Sequence, residues 1–175
     1  MSSRFERTSA ETLYKGNIFS VREETFRHED GEESTREIVR HTGAVGVVCH
    51  DGASLWLVRQ PREAVGIPDL LEIPAGKLDV EGEEPLATAK RELAEEIGKA
   101  ASEWEHLHTF FTSPGFTDEV CHVYLATGLS DASAEPDERE RIDIEVRPLA
   151  ELDAIIDEVR DSKTLIGLLE LRRRL

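Results

Sequence analysis

The apolar positions of the chain follow two periods, and each period predicts a different kind of element. Residues 44–50 (AVGVVCH) and 54–60 (SLWLVRQ) are short apolar runs separated by Asp51-Gly52, which predicts two strands joined by a tight turn. VCHVYLAT, 120–127, is a third such run, and 103–112 (EWEHLHTFFT), Leu70–Ile73 and IDIEVRPL, 142–149, read as further strands. Between 85 and 98 the period changes. Leu86, Ala89, Leu93 and Ile97 recur at helical spacing, with Pro85 where a first turn tolerates it and Gly98 as the C-terminal stop. A second helix is expected from Pro148-Leu149 through Val159, and a last one from about Ser162 to the C-terminus. Pro61 is expected to end the second strand, leaving PREAVGIP, 61–68, as a loop that carries Arg62. SPGFTDE, 113–119, reads as a loop, and SDASAEPDERER, 130–141, as a mobile acidic connector.

The N-terminal stretch is weaker in pattern. Residues 10–27 suggest two short strands around Gly16-Asn17, HEDGEES turns at Asp30-Gly31, and STREIVRH, 34–41, alternates as a strand. The expected organisation is therefore a small antiparallel β unit over 1–42 and a larger domain over 43–175. The first has too little apolar surface to stand alone. Strands alternating with helices that flank a sheet make the larger domain α/β.

Composition narrows the setting. With 39% hydrophobic and 33% charged residues, and no apolar run long enough for a bilayer, the chain reads as a soluble globular protein. The polar N-terminus shows no apolar core of a secretory signal, and Cys49 and Cys121 sit inside strand-like runs as buried thiols, so the cytoplasm is the expected compartment. The net charge of −16, from 37 acidic and 21 basic residues, argues against nucleic acid or an anionic membrane as partner.

The candidate chemistry lies on the 85–98 helix. Glu92, Glu95 and Glu96 fall at i, i+3 and i+4, so three carboxylates project from one side and repel one another. Glutamate-rich faces are ordinarily solvated surface. A divalent cation would remove the repulsion, and oxygen ligands of this kind suit Mg²⁺, with Mn²⁺ as a substitute, better than Zn²⁺. His106 and His108 share a strand face but lack further zinc ligands around them, Cys121 and His122 notwithstanding, and read as partly exposed strand histidines.

What lifts the acidic helix above ordinary surface is its surroundings. Arg91 directly precedes the cluster, Glu83 lies eight residues before Arg91, and a glycine-containing loop, Pro74-Ala75-Gly76, comes before all of it. This stretch resembles the signature of the Nudix hydrolases, G-x5-E-x7-R-E-U-x-E-E-x-G-U, where U is aliphatic. Glu83, Arg91, Glu92, Leu93, Glu95, Glu96 and Gly98 match in type and spacing. There are two departures: one extra residue separates Gly76 from Glu83, and Lys99 stands at the last aliphatic position. The resemblance covers about 45–172 and implies a mixed sheet sandwiched between helices. It also implies a metal-dependent pyrophosphatase, with Glu92 and Glu96, Glu95 and the carbonyl of Ala75 as ligands. Arg91 and Glu83 would be an ion pair that holds the loop against the helix.

The loop 113–119 resembles that of the ADP-ribose pyrophosphatase subgroup, in which a proline follows the signature at the distance of Pro114, fifteen positions beyond Lys99. Asp118 and Glu119 are the loop's carboxylates, and the resemblance assigns Glu119 as general base or metal ligand. ETLYKG, 11–16, and REI, 36–38, also resemble segments of that subgroup. They imply a homodimer with an exchanged N-terminal unit, Arg36 stacked on adenine, and Arg62 on phosphate or ribose, tasks a guanidinium suits. Gly76, Pro114 and Phe116 are placed at the substrate, and Phe19 or Ile18 beside the base. The expected reaction is hydrolysis of ADP-ribose to AMP and ribose 5-phosphate. Another nucleoside diphosphate sugar such as GDP-mannose is the alternative substrate, and a non-catalytic ADP-ribose sensor the alternative of another class.

Overall fold

The computed structural model describes residues 4–133 and 141–175, and the chain divides into two compact units. The first comprises the chain through Gly43 together with Phe111–Val120, and the second Ala44–Phe110 with Cys121–Leu175. The 113–119 loop therefore clusters with the N-terminal strands, whereas a division at 42 placed it in the larger domain.

In the first unit β1 (Phe5–Lys15), β2 (Phe19–His28) and β3 (Glu33–His41) form an antiparallel sheet in the order β1-β2-β3. The turns fall where Gly16-Asn17 and Asp30-Gly31 predicted them. The strands are longer than 10–27 suggested, because FERTSA pairs with β2 through its backbone although its side chains carry no period-two signal. The loop is tied on by Val39 N–H to Phe116 O at 2.8 Å and Asp118 N–H to Val39 O at 3.3 Å. Beneath this unit's polar exterior lies Glu24, fully buried. Its carboxylate accepts from Arg40 Nη2 at 2.6 Å and Nε at 3.2 Å, and Arg7 adds a bond at 3.4 Å. Arg40 holds the Glu24 carboxyl below the usual range against the opposing cost of desolvation.

The second unit is built on a seven-stranded mixed sheet. Its strands are β4 (Ala44–His50), β5 (Ser54–Arg62), β6 (Ile67–Glu72), β7 (Ala75–Lys77), β8 (Lys99–Phe111), β9 (Val120–Asp131) and β10 (Asp143–Pro148). The path runs β10-β5-β4-β9-β8, with β6 on β5 and β7 on β4; β4 and β9 are parallel, while β10, β4 and β6 run antiparallel to β5. The alternation in β4 explains the sandwich. Val45, Val47 and Cys49 pack with Ala89, Leu93 and Ile97 of α1 (Pro85–Ile97) on one face. Val48 packs on the other face with Ile155 of α2 (Leu152–Glu158) and Leu168 and Leu171 of α3 (Ser162–Arg172). The helix stripe read from the sequence is the buried one, with Leu86 packed at its margin, and Gly98 closes α1 at φ 64°.

Four expectations are corrected. Pro61 does not end its strand; β5 continues to Arg62, and Pro61 sits at a register shift between Gln60 and Arg62, where the ladder asks no N–H of it. Gly76 lies in β7, paired with Val45, and not in a free loop. The helix expected from Pro148 begins as a short 3₁₀ turn, Leu149–Glu151, before α2. The acidic connector is shortened at its start, since β9 runs through Asp131, and its residues 134–140 lie outside the described residues. Among the described residues no helix is long and apolar enough to cross a membrane.

Candidate active site

Arg91 is the hub of the second unit's acidic surface. Its Nη1 lies 2.9 Å from Glu92 Oε1 and 2.9 Å from Glu95 Oε2, and its Nη2 lies 3.1 Å from Glu83 Oε2. Thr88 Oγ1 donates to the same Glu83 oxygen at 2.9 Å. Glu83 is held below the ordinary carboxylate range, first by the Arg91 hydrogen bond and then by Thr88; the guanidinium is pushed up in turn, chiefly by Glu83. Glu96 points toward β7, where its Oε2 accepts from the Ala75 N–H at 3.0 Å. Gly76 is packed against Glu92 so closely that a Cβ there would lie 2.0 Å from Glu92 Cδ. The structure thus brings together Ala75, Gly76, Glu83, Arg91, Glu92, Glu95 and Glu96. It does so because α1 supplies the carboxylates at i, i+3 and i+4 while β7 brings the backbone up to them.

Arg62, at the end of β5, is engaged by Glu72 of β6. Nε lies 2.6 Å from Oε1 and Nη2 lies 2.7 Å from Oε2, a bidentate pair on a carboxylate only 1% exposed. Lys163 of α3 also bonds Glu72 and lies 3.0 Å from Asp161.

In the first unit a groove of about 550 Å³ is lined by Phe5, Phe26, Arg36, Phe111, Pro114 and Phe116, with Arg40 and Asp118 among its polar groups. Three residues expected at the substrate, Arg36, Pro114 and Phe116, meet there. Phe19 and Ile18 do not line it; Phe19 packs on Tyr14 with ring centroids 6.0 Å apart, and both are exposed. Glu119 lies outside the groove. Its Oε2 accepts from Thr112 Oγ1 at 2.7 Å, and its Oε1 lies 3.4 Å from His41 Nδ1. Asp118 accepts from the His41 N–H at 3.0 Å and from Arg40 at 2.9 Å, bonds that hold it below the usual carboxylate range against desolvation.

The NUDIX domain family matches residues 40–167. The chain belongs to the Nudix family. It is 45% identical to the ADP-ribose pyrophosphatase of Mycobacterium tuberculosis, over 84% of this chain and 72% of that protein. It is 40% identical to the methanol dehydrogenase activator of Bacillus methanolicus, over 95% and 93%, and 39% identical to the ADP-ribose pyrophosphatase of Bacillus subtilis, over 94% and 91%. A solved structure of an ADP compounds hydrolase superposes with a TM-score of 0.88 at 24% identity, covering 99% of this chain and 95% of that one, and establishes the Nudix fold.

Nudix proteins generally need a divalent metal. Among the described residues no three His, Cys, Asp or Glu side chains are gathered closely enough to hold an ion; the carboxylates are drawn instead to Arg91 and the Ala75 amide. The donors nonetheless fit a hard cation. They are all oxygens, and Glu83, Glu92, Glu95 and Glu96 set four negative charges against the one of Arg91. His106 and His108 are exposed on β8, and His106 meets Thr109 Oγ1 at 2.7 Å, in line with a strand-surface role.

Several participants had no signal in the sequence. Glu72 and Lys163 are 91 positions apart and meet only through the fold. Phe5 sits in a polar segment, and Phe26 within β2 and Phe111 at the end of β8 show no pattern that points to a shared groove. The closeness of Gly76 to Glu92 generates a prediction. In Gly76→Ala the flexible Glu92 side chain yields to the new methyl group, so melting temperature changes little while hydrolytic activity falls about 100-fold, the scale of losing one well-placed active-site group. Full activity of the variant by steady-state assay would show that the Glu92 position is not required.

Proposed function

We propose that this chain is a divalent-metal-dependent pyrophosphatase that hydrolyses ADP-ribose to AMP and ribose 5-phosphate. The observation that carries the reading is the Arg91-centred carboxylate array on α1, closed by Ala75 and Gly76 of β7. Relatives named as ADP-ribose pyrophosphatases support the choice of substrate. Glu92 and Glu96 would hold the ion, with Glu95 and the Ala75 carbonyl as further ligands, and Mg²⁺ is the expected ion with Mn²⁺ as a substitute. A bound ion supplies neutralisation of the diphosphate oxygens and a lowered pKa for the attacking water.

The residues then divide the work. Water attacks one phosphorus, the anhydride P–O bond breaks, and the water's proton passes to Glu119. Arg91 offsets the mutual repulsion of Glu92 and Glu95, and Glu83 keeps Arg91 in place. Arg62 binds a phosphate oxygen. Arg36 with Phe116 and Pro114 offers a cationic and aromatic surface for the adenine. The strand β1, exposed along its whole length with Phe5, Leu13 and Tyr14 each more than half exposed, supports a homodimer in which a second copy covers the N-terminal unit. The cytoplasm is the compartment these features suit, with two free buried cysteines.

Three outcomes are expected. In a panel of nucleoside diphosphate sugars assayed with Mg²⁺, ADP-ribose is turned over most efficiently, and AMP with ribose 5-phosphate are the products; equal or better turnover of GDP-mannose overturns the substrate choice. Glu119→Gln lowers kcat by about 10²–10⁴-fold, and a rate within about threefold of wild type removes Glu119 from the proton transfer. Light scattering gives twice the chain mass of 19.6 kDa; a monomer at micromolar concentration rules out the dimer.

A further inference from the structure

Among the described residues Glu72 is the second unit's only carboxylate buried to 1% exposure. A carboxylate that deep is retained only where its charge is matched. Two cations match it, Arg62 through the Nε–Nη2 edge and Lys163 from α3. The arrangement is more than a structural ion pair in one respect. Arg62 is 41% exposed while its partner is buried, so the guanidinium is held along its Nε–Nη2 edge and still presents surface that a ligand can reach. The charge of the guanidinium is favoured first by Glu72, with Asp161 and Glu96 adding to it, which sets Arg62 within electrostatic reach of Glu96 on α1.

The local charge count shows what Lys163 does. Arg62 and Lys163 balance Glu72 and Asp161. Without Lys163 the two carboxylates outnumber Arg62, beside an α1 face that is itself acidic, and the field turns against an anion. We propose that Glu72 and Lys163 are positioning residues for the substrate's diphosphate. Glu72 fixes the guanidinium of Arg62 in one orientation, and Lys163 offsets the buried carboxylate so that Arg62 retains its charge for a phosphate oxygen. This rests on the pyrophosphatase reading above.

The test is a double-mutant cycle with two readouts, KM and kcat for ADP-ribose and the calorimetric Kd for its non-hydrolysable methylene analogue, both with Mg²⁺. Lys163→Met is expected to raise KM and Kd by about tenfold, within the range seen for coupled neighbours, while kcat stays near wild type and the melting temperature falls, because buried Glu72 loses one of its two cations. Lys163→Arg is expected to recover most of the loss. In an Arg62→Gln background the Lys163 change is expected to add less than about twofold, because the group it serves is gone. An unchanged Kd in Lys163→Met overturns the proposal, as does the same loss in both backgrounds or a fall in kcat and stability with Kd preserved. Wild-type protein that binds the analogue but does not cleave ADP-ribose refutes the enzymatic reading, and the Kd ratios still decide the role of Lys163. Protein that binds no analogue refutes both.

Discussion

Like charges crowded on one helix face are the constraint from which the site follows. Two carboxylates about 4 Å apart repel by about 1 kcal/mol in water and by about 4 kcal/mol at a protein surface. Glu92, Glu95 and Glu96 share a side of α1 at a cost that a cation between them removes. Arg91 offsets part of that cost with its planar fork, reaching Glu92, Glu95 and Glu83 at once. The rest of the second unit fits around this arrangement: the Ala75 amide takes Glu96, Gly76 makes room for Glu92, and Leu93 and Ile97 fasten the helix to the sheet from behind.

An acidic protein that handles an acidic substrate has to reverse its own field locally. With a net charge of −16 the chain as a whole repels a diphosphate. The structure confines its remedies to a few places. In the second unit Arg62 and Lys163 converge on buried Glu72, and in the first unit Arg36 and Arg40 line a groove that also holds four phenylalanines. Each cation is tied to a carboxylate or a backbone carbonyl, so its direction is set before a ligand arrives.

Much of this was legible in the chain, and the reasons are local. The stripe Leu86, Ala89, Leu93 and Ile97 with Pro85 and Gly98 at its ends specified α1, and the fixed spacing from Glu83 to Glu96 specified the array, because a helix converts sequence spacing directly into geometry. Proline misled at position 61, since a bulge lets a strand absorb it. The meeting of Lys163 with the Arg62–Glu72 pair was invisible, as was the clustering of the 111–120 segment with the N-terminal strands. Both depend on contacts between distant segments for which no periodicity exists. The resemblance of the loop pointed to Pro114 and Phe116, and that of the third strand to Arg36, but neither foretold that all three share a groove with Phe5 and Phe26.

The central claim is that the α1 carboxylates gather a divalent ion for diphosphate hydrolysis. The most direct measurement is anomalous diffraction from crystals soaked in Mn²⁺ with the methylene analogue of ADP-ribose. The account predicts strong anomalous peaks within coordination distance, about 2.0–2.3 Å, of Glu92 and Glu96 oxygens and of a diphosphate oxygen. Peaks confined to other sites, in protein that still cleaves ADP-ribose in solution, would contradict it.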